Sequence, residues 1–379
     1  MSEALATPRF PSPRLQRLAA VGTLVLLFAL LTLGAVVTSF RVGMADPIWP
    51  TRPWHLLTIS WEEPSAGYLI EHTHRLAGFV TGAVVALVAI LLWLTEPRPA
   101  LRWGGLVAVV ALLAAFGQLH GSLLVHQKML RETGQLTAPN WATALGPTLG
   151  VLTVTVVLAL RSGGVQLLGA ILLIAVMAQG ILGGLRVYLN ALYGSDLAAI
   201  HGVFSQIVLA LAVSIVVLAG PRRAPPIKDR GLGTWALTAA IVAFAQVVFG
   251  AVLRHTESPL GPRLHLLNAF LVVFAVAAVS RQSRGTPVRW LAVVASSLAG
   301  LQVLLGVEAW MIRFKAGFVQ SAVQQITAGE AIVRTLHAVV GYGLFATVFA
   351  IAVVLLRNRM PASRKQKIAR PVLPAEVAV

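Results

Sequence analysis

Ten runs of apolar residues, most of them about twenty residues long, dominate this chain: 18–38, 72–94, 104–126, 141–160, 165–185, 197–219, 232–253, 264–280, 288–310 and 335–356. A run of that length crosses a hydrocarbon core as a helix. Inside a bilayer only helices and closed barrels satisfy their own backbone, and continuous runs of this length indicate helices. The chain therefore reads as an all-α, polytopic membrane protein. Composition agrees: 57% of the residues are hydrophobic and 11% charged, against about 25% charged in soluble domains.

The few charges carry topology. A net charge of +17 is not a nucleic-acid footprint, because the basic residues sit in loops and tails between apolar runs. With the N-terminus inside, 19 of the 30 Lys and Arg residues fall on that side and 11 on the other. The positive-inside rule then predicts a multi-pass protein of the cell (inner) membrane with both termini cytoplasmic. The basic tail 359–379 reads as a stop anchor beside anionic lipid. No convincing cleavage site follows the first run, which reads as a retained helix. The chain has no cysteine, so thiolate metal sites, iron–sulfur clusters and disulfides are excluded. Metal chemistry falls to His, carboxylate, Met or Tyr.

An internal repeat is visible. "LGAVVTS" (33–39) closes the first helix and "FGAVLRH" (249–255) the seventh; "QGILGG" (179–184) lies in the fifth and "QVLLGV" (302–307) in the ninth. Each is followed by a helix with a histidine near its start: His74, His201, His265 and His337. The pattern is a four-helix unit used twice. It predicts an N-terminal unit over 1–220, interrupted by a helical hairpin at about 100–162, and a C-terminal unit over 221–358.

The four histidines belong to helices that all start on the outer side, so they share a depth. Ionisable groups in a membrane are costly and usually face the bundle interior. Two histidines per unit, on different helices, suit the clamping of a haem iron from both faces, and bundles build cofactor sites in this way. Zinc fits less well, because no further conventional ligand accompanies each pair. In "EHTHR" (71–75), Glu71, His74 and Arg75 share one helical face. His72 points about 160° away from His74, toward another neighbour or the interface. Glu71 is either a general acid or base near the haem edge or a neutralising partner for Arg75.

Taken in order, these segments resemble the haem A synthases, membrane enzymes that oxidise haem O. "GAVVTSFRVGMADPIWP" (34–50) is similar to that family's first helix end and Trp–Pro loop, and "EHTHRLAGFVTG" (71–82) to its Glu-x-x-His-Arg helix. "QGILGGLRV", "LAAIHGVFSQ", "AQVVFGAVLRHT", "LHLLNAF", "LQVLLG" and "TLHAVVGY" continue the series. The resemblance covers most of the chain. It implies that His74 and His201 flank the substrate haem O, with Glu71 as catalytic acid and Arg75 beside the cofactor. It also implies that His265 and His337 ligate a haem b. The reaction implied is stepwise oxidation of a ring methyl to a formyl group, supplying haem A for terminal oxidase assembly. Oxygen and electrons come from outside the chain. Haem O synthase, an unidentified electron donor, the lipid bilayer and a second copy of the chain are the expected partners.

The chain departs from the family pattern in several places. The family has eight helices where ten are expected here, and the extra hairpin carries His120 and His126 as interface residues or additional ligands. "LHLLNAF" lacks a His-Arg pair, leaving the propionate or stacking role of such an arginine absent or with Arg254 or Arg263. The Asp-Pro-Ile-Trp-Pro order puts Asp46 in an unfamiliar place, and Trp49 and Trp54 read as interfacial anchors. Glu71 has no counterpart beside His265, where Pro262 and Arg263 stand, which favours chemistry in the N-terminal half. The competing expectations are a non-catalytic di-haem b cytochrome and, from the duplication, a transporter. Against the transporter, the charged positions cluster at one face.

Overall fold

The computed structural model describes residues 13–46, 48–49, 53–60, 64–133, 141–193, 196–220, 230–256, 258–314 and 326–359. The basic tail beyond 359, most of the 222–230 cluster, and Pro47 and Pro50 lie outside the described residues. The described chain is all-helical: α1 (Pro13–Ser39), α2 (Ala66–Leu94), α3 (Pro99–Thr133), α4 (Trp141–Ser162), α5 (Gly164–Tyr188), the short α6 (Asn190–Tyr193), α7 (Asp196–Ala219), α8 (Arg230–His255), α9 (Leu260–Gln282), α10 (Arg289–Phe314) and α11 (Ala328–Arg359). A 3-10 turn, Pro53–Leu57, lies between α1 and α2. Ten of these helices are long and apolar enough to cross a membrane, making this an all-α polytopic membrane protein. Each matches one apolar run to within a residue and most extend past it at one or both ends, because polar residues at the ends continue the backbone hydrogen-bond pattern.

Helices α1, α2, α5 and α7 form a closed ring of neighbours, and so do α8, α9, α10 and α11. The rings meet where α1 and α7 pack against α11, and α7 against α8. The α3–α4 hairpin lies against α2 and α5, away from that seam. One apolar core fills the second ring and draws in Leu209 of α7 with Phe28 and Leu31 of α1. The other joins α1, α2, α5 and α7 to Val109, Leu112 and Ala159 of the hairpin. The outward side of α9 exposes Leu267, Phe270 and Phe274; on a helix this apolar, such a surface faces lipid. Membrane helices associate through close packing, and Gly105 of α3 shows it by letting the fully buried Trp93 ring press on its backbone. Hydroxyls within the helices turn back to the preceding turn, as Thr23 does to Ala19 O and Thr32 to Phe28 O at 2.9 Å.

The end of the bundle opposite the histidines is tied by Glu96, which is 2% exposed. Its carboxylate accepts from Arg98 Nε at 2.6 Å and from the Ser162 hydroxyl. Arg98 also donates to the carbonyls of Arg161 and Ser162, fastening the end of α4 to the α2–α3 turn. These hydrogen bonds, that of Arg98 foremost, hold the Glu96 carboxyl down to about 2 from an ordinary 4.5. A depressed carboxyl contributes stability that is present above its ordinary range and is lost as pH falls toward the lowered value. In detergent, thermal unfolding should therefore weaken between pH 5 and pH 3 more in the wild type than in Glu96→Gln. Equal losses would show that this tie contributes nothing.

Candidate functional site

Four histidines, four glycines and the helix pairs that carry them define the site. His74 of α2 packs against Gly34 of α1, His201 of α7 against Gly183 of α5, His265 of α9 against Gly250 of α8, and His337 of α11 against Gly306 of α10. In each pair a methyl group placed on the glycine would stand 3.1–3.2 Å from the imidazole Cε1. The histidine–glycine contact thus recurs once in each helix pair and twice in each ring of four.

A glutamine four residues before the glycine braces the ring in three pairs. Gln179 donates to His201 O at 2.9 Å, with its amide nitrogen 3.3 Å from the ring Nε2. Gln246 donates to His265 O at 2.9 Å and lies 3.2 Å from Nδ1. Asn268 fixes that amide in turn by donating to its oxygen at 2.7 Å. Gln302 reaches His337 Nε2 at 3.3 Å. In the first pair the corresponding position is Leu30, so no amide stands there beside His74. The spacing Gln-x-x-x-Gly was present in the sequence as the signal for this bracing.

The histidines come together within the halves. His265 and His337 face each other with ring centres 6.2 Å apart and planes at 71°. His201 lies within electrostatic reach of His74. Metal–imidazole bonds of about 2 Å on opposite sides of one ion put two ring centres about 6 Å apart, a separation that His265 and His337 already have. The Nδ1 atoms of His74, His201 and His337 are buried without a hydrogen-bond partner. Buried polar atoms of native proteins are rarely left so. The ring spacing of His265 and His337 fits two imidazoles on one iron. Among the described residues, no group of three or more His, Asp or Glu side chains is set to hold a metal ion.

Glu71 is 3% exposed and bonded at both oxygens. Oε1 pairs with Arg75 Nη2 at 2.5 Å, and Oε2 accepts the Asp46 backbone N–H at 2.9 Å. Arg75 continues into the loop after α1, donating to the carbonyls of Asp46 and Ile48 at 2.9 Å and standing 3.5 Å from Asp46 Oδ2. Asp46 in turn caps a turn by accepting from Ile48 N at 2.9 Å. Arg75 thus contacts Glu71 and the loop. His72, on the other face, is fully buried, stacked on Tyr68 at 3.9 Å, with Nε2 3.3 Å from Asp46 Oδ2. Asp46 is the hub of this network.

The hairpin histidines stand apart from the four. His120 sits among Trp49, Phe79 and Phe116, with ring centres at 5.9, 6.0 and 6.3 Å. His126 is buried, with Nε2 3.4 Å from the Tyr188 hydroxyl. Trp49 is partly buried. Its indole lies on the bare backbone of Gly184, beside the Gly183–His201 contact. Trp54 is half exposed against Phe79. Arg254 is turned inward and donates to the Ser39 hydroxyl at 2.6 Å, whereas Arg263 is exposed. No family model matches this chain, and no curated protein matches it.

Proposed function

We propose that this protein binds haem through its four repeat-related histidines and oxidises haem O to haem A. The observation that carries the haem reading is the pair His265 and His337, 6.2 Å apart at equivalent places in the last two helix pairs. The ordered resemblance to haem A synthases carries the activity. On this reading His74 and His201 flank the substrate, and His265 and His337 hold haem b, which supplies one-electron transfer when bound. Converting the ring methyl to a formyl group removes four electrons in two steps, with oxygen and electron carriers from outside the chain. Gln179, Gln246 and Gln302 orient three of the imidazoles. Glu71, released from one of its two bonds, would hold or pass a proton at the freed carboxylate oxygen. The 19 to 11 division of basic residues supports cytoplasmic termini, with the histidines toward the outer face of a cell membrane. Haem O synthase, an electron donor and a second copy of the chain are proposed as partners.

One observation favours a second reading, a di-haem b cytochrome without chemistry: both oxygens of Glu71 are already engaged. Co-expression with a haem O synthase, followed by chromatography and mass analysis of extracted haems, separates the two. The enzyme should yield haem A or its hydroxylated precursor. Bound haem with neither product would leave the cytochrome.

A further inference from the structure

Glu308 of α10 has no part in that reading, and its place in the fold is unusual. It lies six residues, roughly 9 Å, inside the end of a helix long and apolar enough to cross a membrane, and it is exposed. Leu301, Leu304 and Met311 share its stripe at helical spacing and are 45%, 70% and 61% exposed. The carboxylate therefore stands on the outward, lipid-facing side of the bundle. Ionisable side chains in spanning helices almost always face the bundle interior or pair with one another. Glu308 faces the other way.

The neighbouring helix carries the complement. Arg263 of α9 is exposed and heads an outward stripe that continues through Leu267, Phe270 and Phe274. Helices α9 and α10 pack together away from the seam between the rings, which belongs to α1, α7, α8 and α11, so both stripes lie on a free flank. The two charges also share a depth. His265 and His337 face each other at 6.2 Å, and the His337 ring lies on Gly306, which puts His265 and Gly306 at one level. Arg263 precedes His265 by two residues on a helix that begins at this end of the bundle, and Glu308 follows Gly306 by two on a helix that ends there. With a rise of about 1.5 Å per residue, both stand about 3 Å beyond that level.

We propose that α9 and α10 form the contact face of a homodimer with its two-fold axis along the membrane normal, in which Arg263 of each copy pairs with Glu308 of the other. A two-fold contact brings one residue to its complement and the complement to it, and an axis along the normal keeps every atom at its own depth. Pairing across such an axis favours groups of equal depth, as Arg263 and Glu308 are. The bridge forms twice, the arginine fork suits a carboxylate, and each charge exchanges the lipid face for a partner. Gly300, one turn from Leu304, is exposed and would meet nothing within 4 Å if it carried a side chain, so a second helix can come close there. This gives a face to the second copy proposed above as a partner, and it rests on neither haem nor Glu71.

The test uses the full chain in phosphatidylcholine vesicles, with energy transfer between donor-labelled and acceptor-labelled copies as readout. Transfer should vary linearly with the acceptor fraction, the signature of a dimer. Glu308→Arg and Arg263→Glu should each weaken association about tenfold or more by setting like charges face to face, and the doubly reversed chain should recover it to within about threefold. Because the chain has no cysteine, the contact can also be read directly. Chains with Glu308→Cys and chains with Arg263→Cys, mixed and mildly oxidised, should form a disulfide-linked dimer several-fold more efficiently than either variant alone. That readout keeps the test decisive should a reversed chain not fold. Transfer no greater than random crowding gives, folded reversals without effect, a folded double reversal that stays dissociated, or cross-linking no better in the mixture would each overturn the dimer. Association that requires phosphatidylglycerol would give Arg263 to a lipid phosphate and overturn the pair.

Discussion

His337→Ala is expected to remove the bis-histidine haem spectrum of the C-terminal half, and His265→Ala should do the same. Each imidazole supplies one side of a pair set 6.2 Å apart, and with one side gone the iron keeps a single protein ligand. Reduced-minus-oxidised spectra of the purified protein should show the low-spin bands lost or converted to high-spin ones. The control is Gln302→Leu, which removes the amide 3.3 Å from His337 but not the ring. Partners of this kind tune ligands about 10- to 100-fold in affinity, so this variant should load weakly yet keep the bis-histidine signature. Unaltered low-spin haem in both alanine variants would mean that these two residues are not the ligand pair.

The second large effect is expected at Glu71. Glu71→Ala removes the carboxylate paired with Arg75, whose side chain is only 12% exposed, and frees the Asp46 N–H. Breaking one member of a buried ion pair costs about 3–5 kcal/mol. The variant should unfold at lower temperature, and proteolysis should find the segment 41–60 first. Glu71→Gln keeps an acceptor for Asp46 N–H and a polar neighbour for Arg75, so its loop should stay largely protected. That difference separates architecture from chemistry. Haem A formation lost in Glu71→Gln, with the loop still protected, would assign proton handling to this carboxylate. Formation retained in Glu71→Gln would leave Glu71 as a loop clamp.

The ten spanning helices were legible because their length and apolarity are local properties, and two rings of four with an added hairpin follow the repeat and its interruption. The four histidines were legible because an ionisable side chain stands out in an apolar run. Gly34, Gly183, Gly250 and Gly306 lay within the four repeat motifs, but that each receives a histidine of its partner helix shows only in the fold. Likewise, i,i+4 spacing anticipates Glu71 with Arg75, but the second partner, Asp46, lies 25 residues upstream. Arg41, Arg186, Arg254, Arg313 and Arg334 line one cleft but are scattered along the sequence. In sequence all but Arg254 read as topology signals, and only the folded chain brings them together.

The contact between each imidazole and the bare backbone of its partner helix also bears on motion. Within a pair the ring fills the space that a side chain on the glycine would take, so α8 with α9, and α10 with α11, are expected to move together. His265 and His337 belong to different units. A flat ligand can enter between them only if the units slide or tilt along the seams where α8 meets α11 and α9 meets α10. The same holds for His74 and His201, across α1–α7 and α2–α5. On the haem proposal, loading is expected to be a shear between hairpins, with the loop fastened by Glu71 and Arg75 lying at the end of one seam.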